Sequence, residues 1–186
     1  MKYFRKIVGD RLYLSPMNLD DAELYAKWMN DKIVTENIGS YTKMISTLSE
    51  RQWLEKESTD YNFAIVLKED DRLIGNISLM DLDGINQTAE LGVFIGEKAD
   101  RNKGYGKESI KLILDYGFNT LNLNNIILKV YSFNEKAIKT YKKIGFKEIG
   151  TRRKCRYKDG KVYDEVFMDI LKDEFNNIKD FIYTLD

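Results

Sequence analysis

The stretch from Thr88 to Tyr131, TAELGVFIGEKADRNKGYGKESIKLILDYGFNTLNLNNIILKVY, changes its hydrophobic period twice. TAELGVFIG reads as a strand. YGKESIKLILDYGFNTL places Ile110, Ile113, Leu114, Gly117 and Phe118 on one helical face. NNIILKVY is a short, strongly apolar strand. Strand, helix and strand in that order imply a parallel pair joined by a right-handed crossover. The chain is therefore expected to build an α/β sheet.

Upstream, RLYLSPMN reads as a first strand ending at the only proline. LDDAELYAKWMN reads as a helix, with Asp20 or Asp21 as its N-cap. Residues 31–46 show no clear period. STLSERQWLEKES is a second helix, with Trp53 and Leu54 on its apolar side. NFAIVLKED and RLIGNISLMDL form a hairpin about Asp70 and Asp71. Downstream, NEKAIKTYKKIGF puts Ala137, Ile138, Tyr141 and Ile144 on one helical face, with Gly145 as C-cap. RRKCRYKDGKVYDEVFMDIL is a hairpin turning at Asp-Gly. The expectation is one domain over residues 1–186, a mixed sheet flanked by helices.

Composition narrows the chemistry. Of 186 residues, 43% are hydrophobic and 32% charged, which is ordinary for a globular domain with a core. Thirty basic residues balance thirty acidic ones, so no general attraction to nucleic acid or an anionic membrane is expected. Histidine is absent, which removes His-based triads, histidine metal sites and a histidine general base. Cys155 is the one cysteine, so no intramolecular disulfide or Cys-rich zinc site can form, and no metal is expected. MKYFRKIVGD lacks a signal-peptide core and the apolar runs are too short to span a bilayer. The expected location is the cytoplasm.

RNKGYGKES, Arg101–Ser109, joins the first strand of the crossover to its helix. Open α/β sheets bind ligands at the carboxyl ends of their strands. A helix start offers free N–H groups and a partial positive charge. Gly104 and Gly106 permit unusual dihedrals and close approach, while Arg101, Lys103 and Lys107 add charge. These features make an anion cradle suited to phosphate or pyrophosphate. A Walker A motif is excluded by the glycine spacing and by Glu108. A dinucleotide fingerprint fails because Ser109 stands where its third glycine belongs. DLDG, from Asp81, lacks the ligands of a calcium loop.

R-x-x-G-x-G before a helix, a strand, and then N-x-x-A-x-x-x-Y-x-x-x-G-F (Asn134, Ala137, Tyr141, Gly145, Phe146) resembles the GNAT superfamily of acetyl-CoA-dependent N-acetyltransferases. RLYLSPMNLDDAELYAKWMND is similar to the branch that acetylates ribosomal-protein N-termini. Residues 114–146 are similar to spermidine-type polyamine acetyltransferases. The resemblance implies the acyl-CoA N-acyltransferase fold, with a splayed central pair of parallel strands and a cofactor-binding core at about 87–146. It implies that Arg101, Asn102, Lys103, Gly104, Tyr105, Gly106 and Lys107 hold the pyrophosphate of acetyl-CoA. Val93, Phe94 and Ile95 would lie along its pantetheine arm, with Asn134 and Ala137 also on the cosubstrate. It leaves a homodimer open.

Acetyl transfer to an amine needs a proton removed from the amine, a donor for the oxyanion and a proton for the leaving thiolate. Glu90, interrupting an apolar run, is the candidate base, where desolvation would favour its protonated form. Tyr141, a phenol that keeps its proton at neutral pH, is the candidate acid. Asn134 or Ser132 could cap the helix that follows. Cys155 reads as structural. Acidic residues gather at 69–100 and basic ones at 136–161, a division that suits a cationic amine and a phosphorylated cosubstrate. A polyamine-like molecule, a protein N-terminus, or an amino sugar or aminoglycoside could be the acceptor. The rival from another class is a non-catalytic acyl-CoA-binding or sensing domain, and a third reading is an α/β protein for another phosphate ligand.

Overall fold

The computed structural model describes residues 2–39, 41–58 and 61–175. The strands are β1 (Ile7–Val8), β2 (Leu12–Pro16), β3 (Asn62–Leu67), β4 (Leu73–Asp83), β5 (Thr88–Ile95), β6 (Asn125–Tyr131), β7 (Lys147–Lys158) and β8 (Lys161–Leu171). The helices are α1 (Ala22–Asn30), α2 (Lys32–Ile38), α3 (Thr47–Glu57), α4 (Tyr105–Asn119) and α5 (Glu135–Ile144). Hydrogen bonding orders the strands β1-β2-β3-β4-β5-β6-β8-β7. β1–β2, β2–β3, β3–β4, β6–β8 and β8–β7 pair antiparallel, while β5 and β6 pair in parallel, with Thr88, Ala89 and Glu90 opposite Asn125, Ile126 and Ile127. The chain is thus an α/β domain with a mixed, mostly antiparallel sheet and one parallel pair, as the stretch 88–131 predicts.

Contacts gather into two compact units. One holds residues 1–80 and 92–113, the other 81–91 and 114–186. In the first, Tyr13, Tyr25, Trp28, Leu54, Ala64 and Val66 form a buried cluster against which Phe94 packs. Trp28 meets Tyr25 and Phe94 edge to face, at 5.4 and 5.9 Å between ring centroids. Gly96 is required by this packing: a Cβ there would sit 2.1 Å from the Trp28 ring. In the second unit, β6 pairs with β8 along its whole length, and Ile126, Leu128 and Val130 point into a core with Met168 and Ile170. Alternation of buried and half-exposed positions in β6 follows from one sheet face being covered.

Local chemistry sets the helix ends, and in places it departs from the sequence reading. Asp21 holds the N-cap position of the first helix, as expected, but makes no side-chain cap bond there. Asn18 does the capping, accepting from the Asp20 N–H at the head of a single 3-10 turn (Leu19–Asp21). Asp21 is buried instead, accepting from the Tyr3 hydroxyl at 2.9 Å and pairing with Lys2 at 2.5 Å. The unpatterned 31–46 contains α2, capped by Asp31 and ended by Gly39 in the left-handed region at φ 86°. In α3, Leu54 is fully buried but Trp53 remains 41% exposed, so only Leu54 belongs to the core. Gly145 ends α5 at φ 118°, as its position predicts.

Candidate active site

The sequence-predicted residues fall into two groups, one in each unit. The glycine loop follows β5 and a single 3-10 turn, Lys98–Asp100. Val93, Phe94 and Ile95 are partly buried at the end of β5. Asn102 and Gly104 both take positive φ, 69° and 85°. The loop therefore coils tightly before α4 starts at Tyr105, and Glu108 N–H closes the first helical bond on the Gly104 carbonyl at 3.0 Å. The N–H groups ahead of that bond are the orphan donors of a helix start.

Gly106 plays a different part from Gly104. It is helical, and an added Cβ would find its nearest neighbour, Ile95 Cγ1, at 3.9 Å. The protein does not fill that space, so backbone dihedrals do not explain the glycine. Without a side chain there, the approach to the helix N-terminus stays open. A cavity of about 350 Å³ adjoins the loop, lined by Arg11, Leu67, Lys68, Glu69 and Tyr105. Orphan N–H groups, an uncrowded glycine, and Lys103 beside them fit the diphosphate of a CoA thioester.

The cations divide their labour. Arg101 does not simply add charge. Its Nε donates to the Ile95 carbonyl at 3.1 Å and its Nη2 to the Gly96 carbonyl, so its fork ties the end of β5 to the loop. Lys103 Nζ stands 3.9 Å from Asp100, whose buried carboxylate takes two bonds from Arg72, at 2.6 and 3.0 Å. Arg72 holds the Asp100 carboxyl below the usual carboxylate range. Asp100 thus anchors the loop's entry. Glu97 is similarly engaged, by Lys27 at 2.5 Å and the Trp28 indole at 3.1 Å. These acidic residues of the 69–100 stretch are committed to local pairs. Arg72, Asp100, Gly96 and Trp28 were not legible as site supports, because their partners lie 28 to 68 positions away.

The second group lies on β5, β6 and α5. Asn134 caps α5, its Oδ1 accepting from the Ala137 N–H at 3.2 Å. Ser132 instead bonds to β8, through the Asp164 N–H and carbonyl. Tyr141 is partly buried and meets the Phe146 ring edge-on at 5.8 Å. Burial pushes its phenol from 10.0 up to about 12, so it holds its proton throughout the neutral range. Glu90 carries a side chain 17% exposed, and its Oε2 pairs with Lys129 Nζ at 2.5 Å. Glu90 faces Ile127 in the parallel register, and Lys129 lies two residues on, hence on the same face. The Glu90 bond raises the Lys129 ammonium above its usual range. Cys155 is partly exposed and its thiol donates to the Arg152 carbonyl at 3.3 Å. Among the described residues, no group of three or more His, Cys, Asp or Glu is placed to hold a metal, and no helix is long and apolar enough to cross a membrane.

Comparison with known proteins agrees with this geometry. The acetyltransferase (GNAT) domain profile matches residues 11–147. An uncharacterized N-acetyltransferase of Bacillus licheniformis, p20, is 32% identical over 174 residues, covering 89% of this chain and 96% of its own. The crystal structure of a GNAT-family acetyltransferase from Bacillus anthracis superposes with a TM-score of 0.79 at 26% identity, covering 90% of this chain and 99% of that one. The spermidine N-acetyltransferase of Vibrio cholerae, solved with CoA and spermine, shares the fold with a TM-score of 0.80 at 24% identity, covering 89% and 98%. The chain belongs to the GNAT family of acetyl-CoA-dependent N-acetyltransferases.

Proposed function

We propose that this enzyme acetylates a primary amine, on a polyamine-like small molecule or on a protein N-terminus, by direct attack of the neutral amine on acetyl-CoA. The observation that carries the catalytic reading is Tyr141, a partly buried phenol at the Tyr of the N-x-x-A-x-x-x-Y motif, pushed up to about 12 by desolvation and so protonated at neutral pH. A domain that only sensed acyl-CoA would need the glycine loop but no such donor. Acetyl-CoA supplies an activated acyl group with a thiolate to leave. The helix start at Tyr105–Lys107 would hold its diphosphate, and Asn134 and Ala137 its arm. Tyr141 would donate its hydroxyl proton toward the departing sulfur.

Glu90 is the proposed acceptor of the amine's proton. One of its oxygens is committed to Lys129, so we assign the transfer to an intervening water. The similarity of residues 114–146 to spermidine-type enzymes supports the polyamine reading. The similarity of the N-terminal 21-residue stretch, residues 11–31, to N-terminal acetyltransferases supports the other.

The test is a panel of spermidine, spermine, putrescine, amino sugars and free-N-terminus peptides, with acetylated products weighed by mass spectrometry. A mass gain of one acetyl group on a polyamine or a peptide α-amine supports the proposal and picks the acceptor. Acetylation of amino sugars alone, or CoA binding with no product from any amine, overturns it.

A further inference from the structure

We infer that Arg11, at the start of β2, is a positioning residue that preforms the glycine loop and cancels a misplaced negative charge beside it. The inference rests on the reading of that loop as the diphosphate site for acetyl-CoA. Arg11 lies ninety residues before the start of the loop, yet it contacts the loop at Lys103 and Tyr105 and α4 at Glu108. Its Nη1 donates to the Lys103 carbonyl at 2.8 Å. Its guanidinium lies over the Tyr105 ring, 4.9 Å from the centroid. Its Nε donates to Glu108 Oε2, and its backbone N–H to Oε1, both at 2.8 Å. A Cβ on Gly104 would stand 3.2 Å from Arg11 Nη2, so the glycine also makes room for the guanidinium.

The charge argument is specific. Glu108 sits in the first turn of α4, where its carboxylate is favourable to the helix but opposes any bound anion. Its side chain is only 14% exposed, so solvent screens it poorly. Arg11 is the countercharge, its guanidinium held by Glu108 Oε2, the Lys103 carbonyl and the cation–π contact, so its position needs little ordering when ligand arrives. Gly9 completes the arrangement: a Cβ there would press on Glu108 Oε1 at 2.9 Å and Leu112 Cδ1 at 2.8 Å. Removing Arg11 exposes a phosphate to Glu108 and frees the Lys103 carbonyl to reorient the loop.

Calorimetric titration with CoA tests this on the full chain, alongside KM for S-acetylpantetheine, a thioester without the diphosphate. Arg11→Ala should weaken CoA at least tenfold while KM for S-acetylpantetheine moves less than twofold. Adding Glu108→Gln should restore part of the lost CoA affinity, because the repulsion is gone while the anchor on the Lys103 carbonyl is not restored. Arg11→Lys, which keeps the charge but not the fork, should fall between, and serves if the alanine variant fails to fold. Unchanged CoA affinity in Arg11→Ala overturns the inference, as does equal loss of both ligands or failure of Glu108→Gln to rescue. No CoA binding by the wild-type chain would instead overturn the acetyl-CoA reading of the loop itself.

Discussion

Replacing Gly106 by alanine should stabilise the protein and weaken its ligand at once. Gly106 is the second residue of α4, and nothing approaches its Cβ position closer than Ile95 Cγ1 at 3.9 Å, an ordinary van der Waals contact. Glycine in a helix interior is about 1 kcal/mol worse than alanine. Near the helix start roughly half of that is expected, about 0.5 kcal/mol, or about 1–2 °C in Tm for a chain of this size. On the proposed reading of the loop, the same methyl group would stand where a phosphate oxygen comes up to the N–H groups. Losing one hydrogen bond to a charged group costs about 1.5–3 kcal/mol, which is roughly 10- to 150-fold in Kd. Thermal denaturation without ligand and calorimetry with CoA measure the two effects separately. Gly104→Ala would not separate them, because its φ of 85° costs a side chain about 1–2 kcal/mol. CoA affinity within twofold of wild type in Gly106→Ala would refute the reasoning, and so would a loss of stability greater than about 1 kcal/mol.

Tyr141→Phe should lower the single-turnover transfer rate by about 10²- to 10⁴-fold while CoA affinity stays within a few-fold. The wild-type rate should show no fall from loss of the Tyr141 proton until the pH nears about 12, read from the alkaline side of the pH–rate profile. Tyr13 and Tyr141 both have phenols pushed up to about 12 from 10.0, mainly by burial. The folded chain therefore holds these protons more tightly than the unfolded one. The associated stability is complete below about pH 10 and is lost as pH rises toward about 12, which urea midpoints measured across that window will show. Arg72→Ala leaves Asp100, 2% exposed, without its two-pronged partner. Arg72 itself is 44% exposed, so the expected loss is about 1–3 kcal/mol rather than the 3–5 of a fully buried pair. The wild-type pair has a depressed carboxyl, so its contribution is present above about pH 4 and disappears as pH falls through the folded value.

Much of the architecture can be read from residues 88–146 because period and end signals coincide there. α4 and α5 carry apolar faces at helical spacing, and glycines stand at the loop before α4 and after α5. α2 escapes such reading because seven residues hide a 3.6-residue period, although Asp31 and Gly39 mark its ends. Asp21 stands at the N-cap of α1 as expected, but the side-chain cap bond falls to Asn18 because an extra 3-10 turn precedes α1. Trp53 is misread because amphipathic spacing says which face a residue lies on, not whether that face is covered.

The chemistry of the site divides in the same way. The glycine loop and the Asn134–Tyr141 motif are local patterns, so sequence shows them. The duties of their neighbours depend on distant partners. Lys129 reaches Glu90 through strand register, Arg72 reaches Asp100 across 28 positions, and Arg11 meets Glu108 across 97. Gly75 and Gly96 are likewise invisible in sequence: their Cβ positions would strike the Phe94 carbonyl and the Trp28 ring, each at 2.1 Å. These glycines keep the end of β5 in place, and the loop starts from that end.

Release of the CoA thiol from acetyl-CoA, followed as each amine of the panel is added, tests acetyl transfer most directly. The expected result is release that rises with amine concentration, saturates, and falls by about 10²- to 10⁴-fold in Tyr141→Phe. Tight CoA binding with no amine-dependent release from any polyamine or free peptide N-terminus would contradict it.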